Sequence, residues 1–123
     1  MSQIAPTRFS LSVRLAAKQL HIDADEAIAV VPTPETVRVP GAPAAVDGIA
    51  WYEGEPLPII RVGDERGPVV VCDTKDHGRV GLAGLAVDGT ARVRTGDPNV
   101  VWLDPSDVVE RALATEPTRP WRA

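Results

Sequence analysis

A chain of 123 residues with one cysteine, two histidines and a formal charge of −4 (pI about 5.1) suits a single domain with a core of its own. The acidic balance offers no basic field to gather phosphates, so no nucleic-acid partner is expected. The lone Cys72 excludes an intramolecular disulfide and suits a reducing compartment. No apolar run nears the roughly 18 residues of a membrane span. The opening MSQIAPTRFS lacks the charged and apolar regions of a signal peptide. The expectation is a cytoplasmic domain with no direct membrane insertion.

Twelve prolines and ten glycines cut a Val- and Ala-rich chain into short runs, the pattern of a mainly β domain. Residues 1–8 read as a flexible N-terminus, 9–114 as one domain and 115–123 as a C-terminal tail. Phe9, Leu11, Val13 and Leu15 alternate with Ser10, Ser12 and Arg14, which places four apolar side chains on one strand face. A turn near Ala16–Lys18 leads to a return strand over Gln19–Ile22. Asp23, with Glu26 three residues later, forms a capping-box pattern that predicts a short helix ended by Pro32 and Pro34. Ile49–Tyr52 and Glu55–Val62 flank the two-residue turn Glu53-Gly54, a hairpin spacing. Pro56 and Pro58 lie two apart, so both missing N–H groups fall on one lateral edge, predicting a sheet border or opening there.

Val69–Cys72 is a continuous apolar run, as expected of a strand buried on both faces. After a polar turn over Asp73–Gly78, Arg79–Asp88 returns as a strand whose Gly81 and Gly84 suggest bulges or close backbone approach. Ala91–Arg94 alternates, residues 96–99 turn, and Val100–Leu103 reads as the last strand. Asp104-Pro105-Ser106-Asp107 combines an N-cap, a first-turn proline and an acidic first turn. The helix it opens buries Val108, Val109, Ala112 and Leu113, with Asp107 and Arg111 at i,i+4.

The segment Val37–Ile60, VRVPGAPAAVDGIAWYEGEPLPII, resembles the backbone pattern of the CheW-like family, the small coupling proteins of bacterial chemotaxis. Val39, Pro40, Gly41, Ala42, Pro43, Val46, Gly48, Ile49, Gly54, Pro58, Ile59 and Ile60 carry the likeness. Gly84, Val87, Asp88 and Gly89 extend it, and VVWLDPSDVV is similar to the family's closing strand and helix. The resemblance covers about Phe9 to Leu113. It implies two small, joined β-barrel or curled-sheet subdomains, one of them reduced here, with a short helix after the first hairpin and a C-terminal helix. Only a short connection separates Gly89 from Val100, so the reduced subdomain predicts self-association or a stable heterocomplex.

The implied function is a non-catalytic adaptor that bridges a CheA-type histidine kinase and methyl-accepting receptors. Two rival readings are a repurposed adaptor for pilus, gliding or other regulatory signalling, and a small-ligand-binding β-barrel. The family's coupling arginine falls at Glu53 and its helix glutamate at Ala29, with Ala27 beside it. Charge reversal at an interface is costly against an unchanged partner, so these departures bear on partner choice rather than on fold. The expected partner-binding positions are Ala27, Ala29, Gly48, Trp51, Tyr52, Glu53, Gly54 and Gly84.

Signs of catalytic chemistry are thin. Cys72 and His77 flank a turn with Asp73 and Asp76 between them, but a buried strand cysteine before a polar turn explains the pattern without a nucleophile or metal. His21 alternates with Leu20 and Ile22 and reads as exposed. Gly81-Leu82-Ala83-Gly84 lacks the Gly-Lys-Ser/Thr of a phosphate loop. No enzyme, cofactor or metal site is expected. Trp51 and Tyr52 point to opposite faces of one strand, so one of them is an interface candidate.

Overall fold

The computed structural model describes residues 8–64, 66–74, 81–95 and 100–116. In chain order these form β1 (Arg8–Leu15), β2 (Lys18–Asp23), β3 (Ala27–Val31), β4 (Val46–Tyr52), β5 (Glu55–Arg61), β6 (Val69–Asp73), β7 (Leu82–Ala86), β8 (Gly89–Thr95) and α1 (Pro105–Leu113). They assemble into a three-stranded sheet, β2-β1-β8, and a five-stranded sheet, β3-β6-β7-β5-β4. The smaller sheet is the reduced half. Among the described strands every pairing is antiparallel except β5 with β7, which run parallel from Ile59↔Gly84 to Arg61↔Ala86.

The β1–β2 hairpin closes at Leu15↔Lys18 through Ala16, whose φ of 55° is a left-handed conformation for a residue other than glycine. Alternation along β1 sends Val13 fully into the core, with Leu11 and Leu15 packed against it. The opposite face is also covered: Ser10 and Ser12 are buried, and their hydroxyls meet His21 Nδ1 at 3.0 Å and Gln19 Nε2 at 2.6 Å.

The helix expected after Asp23 is instead β3. Asp23 does act as a local cap, but of a turn: its Oδ1 accepts the N–H of Asp25 at 3.0 Å and its carbonyl that of Glu26 at 2.9 Å. The following Ala-Ile-Ala-Val-Val is rich in β-branched residues and has β6 to pair with, through Ala29↔Val71, Val30↔Val70 and Val31↔Val69. Tertiary pairing decides the conformation over the capping pattern. Val100–Leu103 likewise forms no full strand. It lies parallel to β2 through one bridge, His21↔Trp102, made by His21 N–H to Val101 O (2.9 Å) and Leu103 N–H to His21 O (2.8 Å).

Helix α1 begins as its sequence predicts. Asp104 is the N-cap and accepts the Ser106 N–H at 3.0 Å, Pro105 follows, and Asp107 meets Arg111 at 3.2 Å. Val109 and Ala112 are buried, whereas Leu113 is partly exposed. Past the helix, Thr115 and Glu116 are tied to the long connection before β4: Thr115 Oγ1 accepts the Ala45 N–H and Glu116 O accepts the Ala44 N–H.

Two apolar clusters organise the interior. The first lies between the sheets and under α1, where Val13 and Ile22 meet Ile60, Val70, Cys72, Leu85, Leu103 and Val109. The second lies on the other face of the five-stranded sheet and joins Ala50, Leu57, Ile59, Val69 and Val71. Ala29 and Val31 from one margin and Tyr52 from the other pack on that same cluster, so the sheet is curled around it. β6 therefore buries both faces, as its unbroken apolar run predicts. Each fully buried Val or Ile contributes about 1.5–3 kcal/mol relative to exposure.

Candidate functional site

The β4–β5 hairpin carries an exposed tip at one margin of the five-stranded sheet. Its turn residues, Glu53 (φ 50°) and Gly54 (φ 79°), are both left-handed, as in the two-residue turn whose twist matches that of paired strands. Pairing runs from Tyr52↔Glu55 through Trp51↔Pro56 and Ala50↔Leu57 to Ile49↔Pro58. Alternation turns Ala50 and Tyr52 to the second core and Trp51 outward, where it is 69% exposed. Ile49, Trp51, Pro56 and Pro58 thus share the outer face of the hairpin.

A two-residue hairpin exchanges backbone bonds at its closing pair and at every second pair thereafter. Tyr52↔Glu55 is that closing pair, so the nitrogens of Pro56 and Pro58 face away from β4. On that side β7 joins only from Ile59 onward, leaving an opening where no donor is needed. The prolines therefore mark an opening rather than the sheet border. The border is β4 itself, and Val37 covers it only at Ile49 by two reciprocal 2.8 Å bonds.

The expected partner-binding positions separate into three sets. Trp51, Glu53 and Gly54 lie exposed together at the hairpin tip, with Tyr52 half-buried beside them. Ala27 and Ala29 lie on β3 at the opposite margin in strand order, and Ala29 turns inward to the second core. Gly48 and Gly84 are buried and serve packing. A Cβ on Gly84 would stand 2.6 Å from Val69 Cγ1 and 2.7 Å from Ile59 Cδ1; one on Gly48, at φ 152°, would stand 2.9 Å from the Val37 carbonyl carbon. Neither offers surface to a partner.

Sequence reasoning missed Ile28 and Val30. They alternate with the less exposed Ala27, Ala29 and Val31 of β3 and are 49% and 43% exposed. The strand-like alternation of exposure over Ala27–Val31 follows a β-branched run that was the available signal, hidden by the helix reading.

Cys72 is fully buried and its thiol approaches Val70 O at 3.7 Å. Burial, with the negative charge of Glu26 adding to it, pushes its pKa up to about 12, so it stays a neutral thiol. His77 lies outside the described residues, as do Asp76, Glu65 and Trp121. Among the described residues no group of His, Cys, Asp and Glu is arranged to hold a metal. His21, expected on an exposed face, is half-buried between Ser10 and Trp102, whose ring it meets edge-on at 6.2 Å between centroids. Trp102 is itself 41% exposed rather than a core residue. No described helix is long and apolar enough to cross a membrane.

The family model described as CheW-like domain matches residues 10–101, from the buried Ser10 of β1 to the segment beside β2. The chain belongs to the CheW-like family. The solved structure of the scaffolding protein TtCheW from Thermoanaerobacter tengcongensis superposes with a TM-score of 0.65 at 19% identity, covering 80% of this chain and 69% of that one. At that identity the likeness speaks for the CheW-like fold alone. No curated protein matches the chain. The family's known setting is chemotaxis-type signal transduction, where its members act as non-catalytic scaffolds. Within the CheW-like domain of this chain, the β4–β5 turn carries Glu53.

Proposed function

We propose that this CheW-like protein is a cytoplasmic, non-catalytic adaptor that holds a CheA-type histidine kinase and methyl-accepting receptors in one geometry. The observation that carries this reading is Trp51, 69% exposed on the outer face of a hairpin locked by its turn and by Val37. Leaving an indole in water is unfavourable, and a rigid aromatic loses little entropy on docking. Ile28 and Val30 supply a second apolar margin on β3, next to the Ala27 and Ala29 positions that the family resemblance implicates. A bridging protein needs two such surfaces. The exposed β4 border also leaves room for self-association.

The test is reconstitution with the CheA-type kinase and the methyl-accepting receptor from the same cell. The expected result is receptor-dependent control of kinase autophosphorylation that requires this protein and is lost in Trp51→Ala. Binding to neither component would reject the reading. Glu53 favours a second one, a CheW-like adaptor for pilus, gliding or other regulatory signalling. The turn puts a carboxylate where standard partners meet a cation, and co-purification of non-chemotactic components from the native cell would support it.

A further inference from the structure

The curled sheet is open at one end, and the opening is roofed. The chain between β3 and β4 crosses it over residues 33–47 and bounds a cavity of about 800 Å³. Its apolar lining is Val46, Ile59, Val69 and Ala86, of which Ile59, Val69 and Ala86 belong to the second apolar cluster. The roof is held in place at several points. Thr33 Oγ1 donates to Gly67 O at 3.0 Å, Val37 is bonded to Ile49, and Ala44 and Ala45 are tied to Glu116 and Thr115. The cavity is therefore preformed, and its volume is that of a small-molecule site at the mouth of a β-barrel.

Charge at its rim runs against that of the chain. Arg38, Arg61 and Arg66 line the cavity with two carboxylates, Asp47 and Asp64, in a protein of net charge −4. Asp47 is engaged by Arg61 at 2.8 Å. Among the described residues, neither Arg38 nor Arg66 has an ion-pair or hydrogen-bond partner, and both are exposed. Two free guanidiniums above an apolar floor complement a ligand with an anionic head and an apolar body. A planar carboxylate suits the guanidinium fork.

We propose that this cavity binds a small aliphatic carboxylate, with its carboxylate at Arg38 and Arg66 and its chain against Ile59, Val69 and Ala86. The site is separate from the Trp51–Glu53 tip, so it would add ligand sensing to whatever the tip docks.

The probe is decanoate, with decanol as its uncharged counterpart, followed by calorimetry and by backbone amide shifts of the full chain. Decanoate should bind saturably, one per chain, with shifts concentrated at Arg38, Ala44, Gly67 and Ala86. Decanol should bind at least about tenfold more weakly, and so should decanoate to the exposed-site double variant Arg38→Ala/Arg66→Ala. Ala44→Trp, at an exposed roof position, should block the cavity while leaving its charges intact. Equal affinity for decanol, undiminished binding by either variant, or no saturable binding up to about 1 mM would each overturn the proposal.

Discussion

The carboxylate of Asp88 accepts the backbone N–H of Ala16 at 2.6 Å, joining the turn after β1 to the turn before β8 across 72 residues of sequence. Two further bonds surround this contact: the backbone N–H of Asp88 donates to Arg14 O at 2.9 Å, and the Arg14 guanidinium Nη2 donates to Asp88 O at 3.1 Å. Asp88 is only 7% exposed, and the chain beside it is made of glycine because nothing larger fits. A Cβ on Gly63 would lie 2.8 Å from the Asp88 carboxyl carbon, and one on Gly67 3.0 Å from its backbone carbonyl carbon. Asp88 thus packs directly against the loop that follows β5 while its carboxylate anchors the turn after β1.

Removing that acceptor leaves a left-handed turn without its anchor and a part-buried donor without a partner. Asp88→Ala should destabilise the domain by about 1.5–3 kcal/mol, the range for hydrogen bonds to charged groups. Asp88→Asn, which keeps an acceptor, should lose less. Urea unfolding of both variants checks the ordering; equal losses would mean that the negative charge, and not the shape or a neutral acceptor, matters at this position.

The start of α1 gives a smaller, local effect. Asp104→Ala should cost about 1 kcal/mol through loss of the bond to Ser106 N–H. Arg111→Ala should change stability by only a few tenths, because the Asp107–Arg111 pair is exposed to solvent. Thermal unfolding of the two variants side by side would show whether the cap outweighs the ion pair.

Features made by local chemistry were legible in the sequence. The Glu53-Gly54 hairpin turn and the Asp104-Pro105 helix start rest on contacts within a few residues, and the unbroken apolar run of β6 implies burial on both faces whatever packs there. The strand β3 was not, since Asp23 and Glu26 satisfy a helix-start pattern that only pairing with Val69–Val71 overrides. The same holds for the partner-binding positions. Trp51 and Glu53 could be placed by alternation and turn type, whereas Gly48 and Gly84 proved to be packing positions set by Val37, Ile59 and Val69. The cavity was invisible because Arg38, Arg66 and Ala86 are joined only by the parallel β5–β7 pairing and the crossing of residues 33–47.

Cys72 predicts a pH dependence of stability. Its folded pKa, about 12, lies above the 9.0 of an unperturbed thiol, so the unfolded chain releases this proton first. The contribution is fully present below pH 9 and is lost as the pH rises toward about 12, on the order of 2–4 kcal/mol over that window. Other groups titrate there too, so the comparison is with Cys72→Ala. That variant should be less stable near neutrality and should lose less on going from pH 8 to 11. Parallel pH profiles for the two proteins would remove Cys72 as the cause.

Glu53 holds a left-handed φ that asparagine or glycine adopts at lower cost. Glu53→Asn should therefore stabilise the isolated domain by roughly 0.5–1 kcal/mol, so turn geometry does not account for the glutamate. Its carboxylate stands exposed beside Trp51, with apolar Pro56 and Pro58 across the strand pair. A partner docking there meets a negative charge at the edge of an aromatic surface. Glu53→Arg should weaken the cognate complex by a few kcal/mol if the site is desolvated, and by less at a rim, without unfolding the domain. Rising salt should narrow the difference between wild type and Glu53→Arg, since screening acts on exposed charges. Affinities at two ionic strengths decide the matter: equal binding by both proteins at low salt would place the interface away from this turn.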